Sequence, residues 1–304
     1  MRMFADSIGS PVLFAAFVGF VLVMLALDLG VFHRKAHVVG LREAAIWSGV
    51  WVALAAVFAG ILWATSGEDA ALQFTTGYLI EKALAVDNIF VFVVIFAALG
   101  VAEDRQHRVL LWGILGALVM RAGFIFAGGA FLERFDWAIY VFGGLLVLTG
   151  IKLVLEREGG SPADNRIVKL LRRVRLFQAY PMLLAIVAIE ITDVIFAIDS
   201  IPAIFGVTRD PFLVFTSNIF AILGLRAMYF LLAGVVQKFR YLKVGLAGVL
   251  VFVGAKMLLA DVIEVPIWVS LATIAVILTA AAVASAFYNS AMNAPRRLPE
   301  TRRR

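Results

Sequence analysis

Cysteine is absent from the 304 residues, so neither a disulfide nor a thiolate metal site is available. Histidine is nearly as scarce. His33, His37 and His107 all fall between apolar segments, which leaves no imidazole at membrane depth of the kind that suits zinc or copper. Charge is sparse as well: 16% of residues are charged against 63% hydrophobic, whereas a soluble domain of this length needs far more charged surface. No nucleophile dyad or cofactor motif appears, so nothing points to an enzyme or to a prosthetic group. The net charge of +6 is not gathered into a nucleic-acid-binding face.

The abundant feature is the continuous apolar run. Several reach about 20 residues, enough to span about 30 Å of hydrocarbon, and they do not alternate as barrel strands would. The chain reads as an all-α polytopic membrane protein of about nine transmembrane helices: Pro11–Phe32, Ala44–Ala64, Phe74–Leu99, Val109–Phe131, Trp137–Leu155, Tyr180–Phe205, Phe212–Val235, Tyr241–Leu259 and Pro266–Tyr288. The first run carries only Arg2 ahead of it and no small-residue cleavage site, so it is expected to be a retained helix rather than a signal peptide. With nine spans, nineteen of the 27 Lys and Arg residues fall on one side, counting Lys243 at the edge of the eighth span, five lie deeper within spans, and only Arg2, Arg134 and Arg209 face the other. The positive-inside rule then places the N-terminus outside and the C-terminus in the cytoplasm of a cell's inner membrane. The basic, amphipathic stretch 166–175, inside a cytoplasmic loop spanning 157–179, is expected to lie on anionic lipid. Residues 289–304 form a cytoplasmic tail. Nothing in the sequence points to an oligomer.

Two of the runs carry a matching pair of acids. Glu81-Lys82 precedes Asp87-Asn88-Ile89 in the third, and Asp193 precedes Asp199-Ser200-Ile201-Pro202 in the sixth, each with the same spacing. Ionised side chains in hydrocarbon are costly and are normally paired, hydrated or functional. Further echoes follow in order. Met120-Arg121-Ala122 matches Leu225-Arg226-Ala227, and Gly144-x5-Gly150-x-Lys152 matches Gly248-x5-Gly254-x-Lys256. Spans three to five (residues 74–156) therefore repeat as spans six to eight (residues 180–260). Three spans being an odd number, the copies enter the membrane with opposite polarity, a 3+3 inverted-topology repeat of the kind transporters use around a midplane site. Residues 11–73 and 261–288 supply peripheral helices.

In this sequence, Glu81-Lys82 with Asp87-Asn88-Ile89, Asp193 through Asp199-Ser200-Ile201-Pro202-Ala203, Ser217-Asn218, and Leu225-Arg226-Ala227-Met228-Tyr229-Phe230 resemble the TerC family of integral membrane proteins, its Alx-like members included. The resemblance runs from Asp28 to Lys256. It implies a place in the lysine-exporter superfamily and a role in Mn²⁺ efflux across the cytoplasmic membrane, in a family named for tellurium resistance.

Mn²⁺ favours hard oxygen ligands, and Glu81, Asp87, Asn88, Asp193, Asp199 and Ser200 all present oxygen. Seven residues return to one helix face, so Glu81 aligns with Asn88 and Asp193 with Ser200. Pro202 cannot donate to the carbonyl of Ile198, which frees that oxygen beside Asp199 and is expected to break the helix. Glu190, one turn before Asp193, and Asn218 are further candidate ligands. Lys82, Arg121 and Arg226 are expected as charge partners or gating elements, and Asp28 as an entrance or a cap. Other readings of the same residues are structural: Asp87, Asp193 and Asp199 as ion-pair partners of the arginines, and Glu81 as a partner of Lys82. At the level of function the alternatives are an exporter of a basic amino acid or an oxyanion such as tellurite, and a non-transporting stress-response scaffold. Proton antiport would couple Mn²⁺ export to the membrane gradient.

Overall fold

A computed structural model of the chain describes residues 7–30, 40–135, 137–155, 180–233 and 241–292. Ten helices occupy them: α1 Pro11–Gly30, α2 Leu41–Ser66, α3 Glu68–Leu99, α4 Glu103–Arg134, α5 Ala138–Leu155, α6 Pro181–Phe205, α7 Pro211–Leu223, α8 Leu225–Leu232, α9 Leu242–Leu258 and α10 Ile267–Met292. No strand occurs among the described residues. The basic stretch 166–175 and the tail from 293 lie outside them.

The starts and stops follow from local chemistry. Proline opens α1, α6 and α7, where its missing N–H is an orphan in any case. Asp210 caps α7, accepting hydrogen bonds from the amides of Phe212 (2.8 Å) and Leu213 (3.2 Å). The same carboxylate ties down the chain's beginning, accepting from Ser7 Oγ (2.9 Å) and the Ile8 amide (2.8 Å). Gly100 ends α3 in the left-handed region, with its own amide and that of Val101 returning to Ala97 and Phe96.

By length and composition, five helices suffice to cross a bilayer: α2, α3, α4, α5 and α10. A sixth is counted if α7 and α8, bent by 41° at Gly224, are taken as one span. Each of the nine predicted segments is largely helical where it is described, but the remaining three fall short on those criteria. The apolar part of α1 is Pro11–Leu27 and α9 has 17 residues. Helix α6 is 25 residues long and carries Glu190, Asp193 and Asp199. Pro202 does not break α6, which continues through it to Phe205. The break falls instead at Gly224, which divides the predicted seventh span.

Helix α7 is the centre of the bundle: all thirteen of its residues are buried. Helices α3 and α4 pack against it, and α6 packs on both of them. On one flank a phenylalanine cluster joins α1 and α2 to α3 and α7, with Phe17 and Phe220 at 5.6 Å and Phe58 and Phe220 at 5.1 Å between ring centres. On the other, α5 and α9 meet through small residues. A Cβ on Gly143 would lie 2.9 Å from the carbonyl oxygen of Gly254, and one on Gly254 would lie 2.6 Å from that of Gly143. Gly144, the first glycine of the repeated pattern, faces open space. Large apolar side chains such as Val12, Leu22, Val57, Leu148 and Val276 stand exposed on the outside, as a lipid-facing surface requires.

Candidate functional site

Arg121, in the middle of α4, is 1% exposed. A guanidinium that deep is tolerable only when fully paired. Its Nε and Nη2 donate to the two carboxylate oxygens of Asp193 on α6, at 2.9 and 2.7 Å, a bidentate fork. Its Nη1 donates to Glu81 Oε1 on α3. More loosely, Nη1 also approaches Asn218 Oδ1 on α7 at 3.4 Å and Ser200 Oγ on α6 at 3.5 Å. One arginine thus gathers three other helices at a buried centre: Glu81, Asn88, Asp193, Ser200 and Asn218 are all shielded by protein. The heptad spacing predicted for Asp193 and Ser200 is realised, since both reach the same guanidinium. Glu81 reaches it as well.

The centre is not electrically closed. Two carboxylates face one guanidinium, and Glu81 Oε2 is buried without a hydrogen-bond partner, as is Asn218 Nδ2 across the same space. A buried polar atom left unpaired costs about 1–3 kcal/mol, so these atoms mark where a further ligand is best received. Protein carboxylates alone do not make a metal cage here. Among the described residues, no three acidic or histidine side chains come together as a metal site, and amide, hydroxyl, backbone or water oxygens would have to complete one.

Other predicted residues lie around this centre rather than in it. Asp199 turns to α5 and accepts from Thr149 Oγ1 at 3.0 Å. The side chain of Ile198 is exposed. Glu190 is half-buried one turn before Asp193, with its Oε2 buried and unpaired. Lys82 does not pair with Glu81. It reaches across to the bend between α7 and α8, where Nζ donates to the Ala221 carbonyl (3.3 Å) and lies 5.8 Å from the centre of the Tyr78 ring. A Cβ on Gly224 would stand 2.6 Å from that Nζ, so the glycine makes room for the ammonium at a helix C-terminus, where a cation is favoured. Arg226 is buried on α8, beyond the bend. The side chains of Asp87 on α3 and Asp28 on α1 lie outside the described residues.

Three participants are not evident in the sequence. Thr149 has no acid-motif context, although it adjoins Gly150 of the repeated glycine pattern. The Ala221 carbonyl becomes available only through the bend. Gly116 on α4 lies against the carboxylate of Glu190, and a Cβ there would overlap it. Its one sequence signal is a glycine within a strongly helical run.

An all-helical bundle with spans long and apolar enough for a bilayer, closed around a buried acid–arginine centre, defines an integral multi-pass membrane protein. The chain belongs to the integral membrane protein TerC family, whose profile it matches over residues 66–293. It is 57% identical, over 92% of its own length and 93% of the relative's, to an uncharacterized membrane protein of Myxococcus xanthus, STKORF319. It is 45% identical, over 93% and 97% of the respective lengths, to an Escherichia coli K12 protein bearing the provisional name of membrane-bound redox modulator Alx. A Rickettsia bellii membrane protein is 36% identical over 82% of this chain and 88% of its own. No solved structure matches the chain.

Proposed function

We propose that this protein is a secondary transporter that exports a hard divalent cation, Mn²⁺, across the cytoplasmic membrane through the centre at Arg121. The observation that carries the reading is the convergence of Glu81 and Asp193, one from each acid segment, on a single buried guanidinium, with Glu81 Oε2 left unpaired beside them. In this reading Arg121 is a tethered stand-in for the cargo. A divalent cation that displaces it neutralises both carboxylates and finds hard oxygen at Glu81, Asp193, Ser200 and Asn218. Asp87, Asn88 and Asp199 extend the oxygen-lined route on α3 and α6, Glu190 lies beside it, and Lys82 and Arg226 supply compensating charge. Protonation of an acid as the cation leaves would couple export to inward proton flow.

The inverted repeat agrees with the packing. With Gly150 matched to Gly254, Ala247 corresponds to Gly143. The contact of Gly143 with Gly254 then exchanges with that of Gly150 with the Ala247 carbonyl, where a Cβ on Gly150 would lie 2.8 Å away. The packing of α3 on α7 exchanges likewise with that of α6 on α4. Such a relation between halves sets a site at their interface. The nine-span topology, N-terminus outside and C-terminus in the cytoplasm, goes with it, as does the lipid contact of 166–175.

The oxyanion or amino acid alternative needs a guanidinium available to an anion, whereas that of Arg121 is engaged by two carboxylates. A redox-modulating role of the kind named for Alx would be exerted in this chain without thiols, for instance through the manganese supply. The test is substrate selection by purified protein in liposomes. Mn²⁺ flux that accelerates under an imposed proton gradient supports the reading. Movement of tellurite or lysine with no Mn²⁺ flux rejects it.

A further inference from the structure

Displacing Arg121 raises a question that the centre itself does not answer. A guanidinium freed inside a buried centre needs another counter-charge, or the displacement is prohibitively costly. Among the described residues, α6 carries a candidate carboxylate one turn from Asp193. Glu190 precedes Asp193 by one turn of α6, on the same face of that helix. Its Oε2 is buried with no hydrogen-bond partner. Its carboxylate is seated against Gly116 of α4, where any larger residue would overlap it. Gly116 lies five residues before Arg121, a rise of about 7.5 Å along the helix. Glu190 meets Gly116 while Asp193 meets Arg121, so α4 and α6 run parallel here. Helical side chains lean toward their own N-terminus. Arg121 therefore leans toward the Gly116 end of α4, the end at which the unpaired oxygen waits.

We infer that Glu190 is the receiving partner of Arg121. When a cation takes Glu81 and Asp193, the guanidinium swings toward the N-terminal end of α4 and forms its ion pair with Glu190, whose carboxylate is seated against Gly116. Glu190 is then a positioning residue rather than a cation ligand. It lowers the cost of evicting the arginine and returns the arginine when the cation leaves. The trigger for this swing rests on the cation reading above; the pairing of Arg121 with Glu190 does not.

Two measurements test it. In the first, Mn²⁺ affinity of the purified protein is measured by calorimetry for Glu190→Gln alone and in an Arg121→Gln background. The expected result is a loss of about tenfold in the first case and less than about twofold in the second, because without the guanidinium there is nothing to receive. Equal losses in both backgrounds would make Glu190 a direct ligand, and no loss in either would leave it without a role; both outcomes overturn the inference. The second measurement needs no metal. Asp193→Asn removes the fork and sends Arg121 to Glu190. Adding Glu190→Gln to that variant should lower the melting temperature by roughly 2–4 °C more than it does in the otherwise unchanged protein. Equal shifts in the two backgrounds overturn the pairing. If the protein binds no Mn²⁺ but this coupling is present, the cargo assignment fails and the arginine swing stands.

Discussion

Arg121 is the residue on which the other assignments turn. Removing it as Arg121→Gln leaves Glu81 and Asp193 facing each other without compensation, and breaking a buried pair in this way costs about 3–5 kcal/mol. If the guanidinium stands in for a cation, added Mn²⁺ restores that loss, since a ligand that binds only the folded state stabilises it. Thermal denaturation of the variant should show a larger Mn²⁺-dependent rise than that of the unchanged protein; an equal or smaller rise would mean that Arg121 does not occupy the cation's place. The sequence made the acids and arginines legible because charge in an apolar run is conspicuous. It did not make their pairing legible. Expectation left open which acid met which arginine, whereas Arg121 takes an acid from both repeats, because long side chains pair according to which helix faces meet. Lys82 shows the same limit. Its neighbour in sequence is Glu81, yet its ammonium goes to the Ala221 carbonyl at a bend that no local residue pattern announces.

At the level of elements, the helices were readable from apolar length, and the acid spacing correctly placed Asp193 and Ser200 on one face. The interruptions were not readable. Proline suggested a break in α6, but Pro202 lies close to the end of that helix, which runs on only to Phe205. The bend at Gly224 has no proline, and a lone glycine inside an apolar run does not distinguish flexibility from packing. The α5–α9 seam offers a sharper case. Gly254→Ala would bring its new Cβ against the Gly143 carbonyl and should cost about 1–3 kcal/mol as overpacking. Gly144→Ala, one position along and facing open space, should be close to neutral. Unfolding of the purified variants checks this, and similar losses for the two would contradict the seam as described.

For the molecule as a whole, the proposed nine-span path would put both partners of each contact between helix ends on one side of the membrane. Ser7 with Asp210, Tyr140 with Asp261 and Lys256 with Ser270 join residues assigned to the outer side. Gln106 with Tyr229 and Tyr241 with Ser285 join residues assigned to the inner side. Because the chain has no cysteine of its own, single introduced cysteines report sidedness cleanly. A membrane-impermeant maleimide should label Glu133→Cys and Glu264→Cys in intact cells, and Glu103→Cys only after permeabilisation; labelling of all three in intact cells would contradict the topology. The central claim concerns what passes through the bundle, and its most direct test is Mn²⁺ flux in liposomes containing the unchanged protein, Glu81→Gln or Asp193→Asn. The account predicts Mn²⁺ movement by the unchanged protein and its reduction by at least about tenfold in each variant, with both variants still folded. Flux undiminished in both folded variants would contradict the assignment of Glu81 and Asp193 as the cation's site.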